Sequence, residues 1–128
     1  MKIVIISDPR KNDLLLNFCV AYRQILKRHE LYTTINLQAL LEEPTELLFN
    51  ALPSDIVGSV NQFVRRASYD EIDAVIYLRD PQSGDYDMPN LLMKACDTQH
   101  IPYAGNLAMA EILVLAIDRG DLDWRNYL

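Results

Sequence analysis

Apolar residues along the chain fall into short unbroken runs and longer runs with a helical period. "KIVIISD" is a β-branched run that stops at a polar turn, the pattern of a buried parallel strand with Asp8 just past its carboxyl end. In "NDLLLNFCVAYRQILKRHE" the residues Leu14, Phe18, Tyr22 and Leu26 recur at every fourth position, which predicts one helix with Asn12 or Asp13 at its start. "LYTTINL" reads as a second strand. Pro44 is expected to break any helix begun at Gln38, leaving "QALLEEPTELLFNAL" ambiguous. A helix is predicted from about Ile56, with Ser54 or Asp55 as its cap. "IDAVIYL" is the clearest strand, "PNLLMKACDTQH" a helix with Pro89 near its first turn, and "IPYAGN" a short strand and turn. "LAMAEILVLAIDRG" is a helix ended by Gly120, and "DLDWRNYL" is a tail.

Strands and helices thus alternate. That order predicts a three-layer αβα, Rossmann-like parallel sheet with helices on both faces. In such sheets ligands bind outside the carboxyl ends of the strands. Asp8, the residues after Tyr32, Arg79-Asp80 and the Gly105-Asn106 turn would gather at that edge.

With 128 residues and no visible repeat or linker, the chain is expected to form a single domain, 1–128. A net charge of -6 and no Lys/Arg stripe speak against nucleic acid or an anionic membrane as partner. Cys19 and Cys96 each sit in an apolar helical pattern and read as buried free thiols, which suits a reducing compartment. The apolar run after Met1 is too short for a signal segment or a membrane span, so a cytoplasmic protein is expected.

No GxGxxG, Walker A or GxSxG pattern occurs. His29 and His100 each end a helix before a strand, which places them at the edge opposite the expected site. There the helix dipole would favour their protonated forms. No metal site can be drawn from these residues.

Several stretches carry a family resemblance. "IDAVIYLRDP", "YDMPN", "ACD" and "IPYAGNLAMAEIL" are similar to "IDAVIFFRDP", the Pro-His-Glu-Pro-Asp loop, "LCD" and "IPVATNLATAEAL" of methylglyoxal synthases. "HELYTT" resembles that family's "HELYATGTTG", and "IVIISDPRKNDLLLNF" its "IALIAHDKKKDELVEF" with one inserted residue. The resemblance runs over essentially the whole chain. It implies a compact parallel α/β domain, a homohexamer, no cofactor, and conversion of glycerone phosphate to methylglyoxal and phosphate. In the family, an aspartate in Gly-Gly-Asp-Gln-Gln is the general base and a histidine in the later loop polarises the carbonyl. The Thr-Gly-Thr-Thr and Ser-Gly-Pro motifs cradle the phosphate, and a lysine near the first strand adds positive charge.

Carried over position by position, Asp8 and Asp80 keep the family's aspartates, and Lys11, or Arg10 across the insertion, matches the lysine. Thr34 and Ser54 keep the first residue of each phosphate motif. After Thr34, however, stand Ile35, Asn36 and Leu37, and Ile35 would block the close approach that glycine allows. Asp55 replaces the glycine of Ser-Gly-Pro, and a carboxylate beside a phosphate costs about 4 kcal/mol per unit-charge pair at ~4 Å and an effective dielectric of about 20. Asp55 can equally be a helix cap. Gly58 keeps the first glycine of the central motif, but the base position falls on Val60, which cannot accept a proton. The histidine position falls on Asp87, and the loop's last aspartate becomes Asn90. A shifted alignment would make Asp55 the base, at the cost of an insertion before Ile72 and of the Ser54 and Gly58 matches.

The expected site therefore holds Asp80, Asp87 and Asp55 as candidate acid or base groups, and Asp8, Lys11, Thr34, Ser54 and Gly58 as binding residues, with no metal assigned. The leading expectation is a methylglyoxal-synthase-like protein without synthase activity. Its small-molecule ligand would sit at the carboxyl edge, and it would serve as a regulatory or assembly module. A working synthase with substituted carboxylates is the alternative, and an enzyme with a new reaction at Asp80 or Asp87 the third. The reshaped pocket would suit a neutral or cationic ligand, or a carboxylate-held ion such as Mg²⁺. Asp85, Asp87 and their neighbours can also be ordinary polar loop residues.

Overall fold

β1 (Lys2–Ser7) is the centre of a parallel sheet, pairing with β2 (Glu30–Thr33) on one side and β4 (Ala74–Leu78) on the other. The computed structural model describes residues 1–51 and 56–127, and the side chains of these except for residues 56–61. Among them the sheet runs β3-β2-β1-β4-β5, with β3 at Phe49–Ala51 and β5 at Tyr103–Ala104. Ile3, Val4 and Ile5 are fully buried although successive strand residues face opposite ways. Both faces of the sheet are therefore covered, as a parallel sheet requires.

The covering helices are α1 (Asn12–Ala21), α2 (Arg23–Leu26), α3 (Ile35–Thr45), α4 (Ile56–Ser68), α5 (Leu91–Gln99) and α6 (Leu107–Asp118). α1 packs on α3 and α6, and α4 packs on α5. Right-handed crossovers account for that division. The chain steps outward from β1 to β3 over one face, then returns past β1 to β4 and β5 over the other. This is the three-layer arrangement expected from the sequence.

The differences from expectation are local. The first helix is interrupted at Tyr22, whose backbone (φ −108°, ψ 22°) leaves the helical region before α2 resumes. Leu14, Phe18, Tyr22 and Leu26 all pack on the core as expected, and Leu15 and Cys19 widen the buried side. The "LYTTINL" strand stops at Thr33, because Thr34 turns the chain and caps α3 by accepting the Leu37 N–H at 3.4 Å. α3 also runs through Pro44. The proline is the penultimate helical residue, and the Thr45 hydroxyl donates to the Leu41 carbonyl at 2.6 Å, satisfying an acceptor of the last turn. Glu46, at φ 57°, then ends the helix. The cap expected at Ser54 or Asp55 lies outside the described residues.

The tail is a short 3-10 turn at Asp123–Tyr127 that folds back on its own chain. Arg125 is buried. It donates to the carbonyls of His100 and Asp73 and to the carboxylates of Asp70 and Asp73 at 2.7–3.2 Å. Trp124 and Tyr127 remain exposed. Cys19 and Cys96 are buried free thiols, and burial pushes both up to about 12.

Candidate functional site

Side chains at the carboxyl edge are placed by the strand ends that carry them. β1 ends at Ser7, so Asp8 is the first residue beyond the sheet, and its N–H donates to the Leu78 carbonyl at 2.9 Å. That bond ties the exit of β1 to the exit of β4. The Asp8 carboxylate then receives two donors from β4 and its continuation. The Tyr77 hydroxyl donates to Oδ1 at 2.9 Å, and the Asp80 backbone N–H donates to Oδ2 at 2.7 Å.

Asp80 itself is buried. Its Oδ1 accepts the Gln82 N–H at 2.9 Å, closing the turn after β4, and its Oδ2 faces Arg10 Nε at 3.6 Å. Arg10 also donates to the Gln82 side chain at 2.9 Å. Asp8 and Asp80 thus form one structural knot, with Arg10 facing the Asp80 charge. Arg79 serves elsewhere: its guanidinium stacks 4.4 Å from the Tyr86 ring centroid and donates to the Tyr86 carbonyl at 2.7 Å, pinning the loop after β4.

Beside Asp8 opens a cavity of about 300 Å³, lined by Ser7, Asp8, Asn12, Thr34, Asn36 and Tyr77 over an apolar floor that includes Ile6 and Leu37. The Ser7 hydroxyl donates to Asn12 Oδ1 at 2.7 Å. Thr34 is only 4% exposed. Burial, followed by the bond to Asp8, pushes the Tyr77 phenol up to about 12. At neutral pH the Tyr77 phenol therefore keeps its proton and donates it to Asp8. A shallower groove of about 590 Å³ lies across β5 and the start of α5, with Arg79, Lys94, Asp97 and Tyr103 among its lining residues.

Of the residues singled out in the sequence, Asp8 and Thr34 line the 300 Å³ cavity and Asp80 stands behind Asp8. Lys11 is half-buried on the 3-10 turn after Asp8 and does not line the cavity. Gly58 lies in the first turn of α4, while Ser54 and Asp55 fall outside the described residues. Asp85 and Asp87 are exposed on the loop between β4 and α5, and Asp87 lines neither hollow. Among the described residues, no three His, Cys, Asp or Glu side chains are placed to hold a metal ion.

Sequence reasoning missed Tyr77, Asn12 and Asn36. Tyr77 carried a usable signal, being the one polar side chain in the strand "AVIYL". His29 lies at the opposite edge as expected, but its surroundings oppose the charged form instead of favouring it. Burial, then the Met1 ammonium 3.1 Å from Nδ1, lowers its pKa below 6.5.

A methylglyoxal synthase from Caldicellulosiruptor saccharolyticus is 39% identical to the chain over 127 residues, covering 98% of this chain and 90% of that protein. The chain belongs to the methylglyoxal synthase family. A second member, from Clostridioides difficile, is 38% identical over 128 residues, covering 98% of this chain and 93% of its own. The crystal structure of methylglyoxal synthase from Elizabethkingia anophelis NUHP1 superposes with a TM-score of 0.79 at 22% identity, over 88% of this chain and 76% of that one. That likeness establishes the shared methylglyoxal synthase fold. No family model matches the chain. Within this methylglyoxal synthase scaffold, Asp8 and Asp80 knot β1 to β4.

Proposed function

We propose that the protein is a methylglyoxal synthase family member that has lost synthase turnover and binds a small molecule at the carboxyl edge as a regulatory or assembly module. The observation that carries this reading is the fate of the two chemical positions. By the family resemblance Val60 falls at the base position, where it has no group to take a proton, and Asp87 falls at the electrophile position, where it is an exposed carboxylate that does not line the cavity. An ionised carboxylate does not polarise a carbonyl, and removing a general base alone slows a reaction about 10²–10⁴-fold. Asp8 and Asp80 are already engaged in the knot between β1 and β4, which supports a structural role for them.

The test is turnover of glycerone phosphate, reading methylglyoxal and phosphate together. The account expects neither product above the uncatalysed rate. Substantial release of both would favour the alternative, a working synthase with substituted carboxylates. That alternative draws support from 35–39% identity to proteins named methylglyoxal synthase over nearly the whole chain. Asp55, Asp80 and Asp87 would then be the catalytic candidates, and Lys11, Ser54 and Gly58 would join Asp8 and Thr34 in holding the phosphate.

The same reading places the protein in the cytoplasm as a homo-oligomer, a hexamer by family resemblance. Exposed Met109, Ile112 and Leu115 on α6 support self-association. Among the described residues no helix is long and apolar enough to cross a membrane. Size-exclusion chromatography with light scattering measures the subunit number, and a monomer at all concentrations would remove the assembly role.

A further inference from the structure

We infer that the cavity beside Asp8 takes a neutral, hydroxyl-bearing small molecule, of the ketose or polyol type, and discriminates against phosphate esters. The inference rests on the proposed function and specifies its ligand. The only charged side chain among the described residues lining the cavity is the Asp8 carboxylate. Arg10 is drawn to Asp80 and Gln82, Arg79 is bound to Tyr86, and Lys11 does not line the space. Among the described residues, a phosphate would meet one fixed negative charge and no facing cation.

Among the described residues, the first turn of α3 is the one feature there that attracts an anion. It is weakened because Thr34 Oγ1 already accepts the Leu37 N–H, and Ile35 stands where glycine would let an anion approach the backbone. A cation fares no better. It would meet a single carboxylate, and each Asp8 oxygen has one of its two lone-pair sites taken, by Tyr77 and by the Asp80 N–H, so only part of a cation's shell is on offer.

What remains is a mixed set of neutral groups. Thr34, nearly fully buried, uses its oxygen to cap α3 and keeps its hydroxyl hydrogen to give. The Asn12 side chain accepts from Ser7 through Oδ1, which leaves its NH₂ as a donor. Tyr77 donates to Asp8 and keeps a lone pair to accept with, and Asn36 adds an exposed amide that can do either. Hydroxyl groups both give and accept, so a ligand carrying several of them can satisfy this alternation. Ile6 and Leu37 supply the apolar floor for its carbon face, and a volume of about 300 Å³ suits a ligand of a few carbons.

The experiment is calorimetric titration of the full chain with four probes: glycerone, glycerol, inorganic phosphate and ethanolammonium. Glycerone or glycerol should bind saturably, and phosphate at least about tenfold more weakly, as expected for a like charge placed near Asp8. Asp8→Asn should narrow that gap by raising phosphate affinity. Thr34→Val should weaken the neutral probes about tenfold, the effect of one lost hydrogen bond. Should Thr34→Val fail to fold, Asn36→Ala provides the same readout from an exposed position. Phosphate or ethanolammonium binding as tightly as the neutral probes would overturn the inference, and so would no binding by either neutral probe. Tight phosphate binding without turnover removes this inference alone, whereas turnover of glycerone phosphate removes the non-synthase reading.

Discussion

The carboxylate of Asp8 accepts the backbone N–H of Asp80 at 2.7 Å, joining the ends of two neighbouring parallel strands through one side chain. Asp8 also takes the Tyr77 hydroxyl at 2.9 Å. Replacing Asp8 by alanine strands both donors at the sheet edge. Hydrogen bonds to a charged group are each worth roughly 1.5–3 kcal/mol, and because Asp8 is only half-buried and water can reach the freed donors, Asp8→Ala should lower the unfolding free energy by less than their sum, about 2–4 kcal/mol. Asp8→Asn, which keeps an acceptor, should cost less than half of that. Urea denaturation at neutral pH measures both. A loss below about 0.5 kcal/mol for Asp8→Ala, the range of ordinary surface changes, would mean the knot contributes no stability.

Arg125 holds the tail against the body. Its guanidinium is almost wholly buried and meets four acceptors on Asp70, Asp73 and His100. Removing one partner of a buried charged network leaves the others without their counter-charge. With Asp70 half-exposed, Arg125→Ala should cost about 2–4 kcal/mol, less than a fully buried pair. Trp124→Ala, at a half-exposed position, should cost less than about 1 kcal/mol. Thermal midpoints of the two variants compare these directly, and equal losses would contradict the assignment of the anchor to Arg125.

His29 makes stability fall in acid. Its pKa is lowered in the folded chain, so the folded state resists protonation there more than the unfolded state does. The corresponding stability is fully present above about 6.5, the ordinary histidine value, and is lost as pH falls below it. His29→Gln should flatten the pH dependence of stability between about pH 7 and 5. An unchanged slope in the variant would assign that dependence to other groups.

How much of this was legible beforehand depended on how local each cause was. Ile3–Ile6 and Ala74–Leu78 announced themselves as strands because a buried parallel strand is apolar at every position. β3 did not, because Phe49, Asn50 and Ala51 are too few to show a period and are held by pairing to β2. The start of α3 was hidden by β-branched "TTI", where capping by the Thr34 side chain outweighed intrinsic preference. At the site, Asp8, Thr34 and Asp80 were readable as residues at strand ends. Tyr77 and Asn12 became visible only when the side chains on β4 and α1 were brought beside Asp8. Asp87 was expected near the same edge because of its loop, yet it points to no hollow that the described residues form.

The central claim is that this scaffold is intact but lacks its two chemical groups. The most direct measurement compares glycerone phosphate turnover by the natural chain and by the Val60→Asp, Asp87→His double variant under identical conditions. The account predicts no methylglyoxal or phosphate from the natural chain and a gain of at least about 10² in the variant, the typical worth of a positioned general base. Clear turnover by the natural chain, abolished or unimproved in the variant, would contradict it and make Asp55 and Asp87 the residues to replace next.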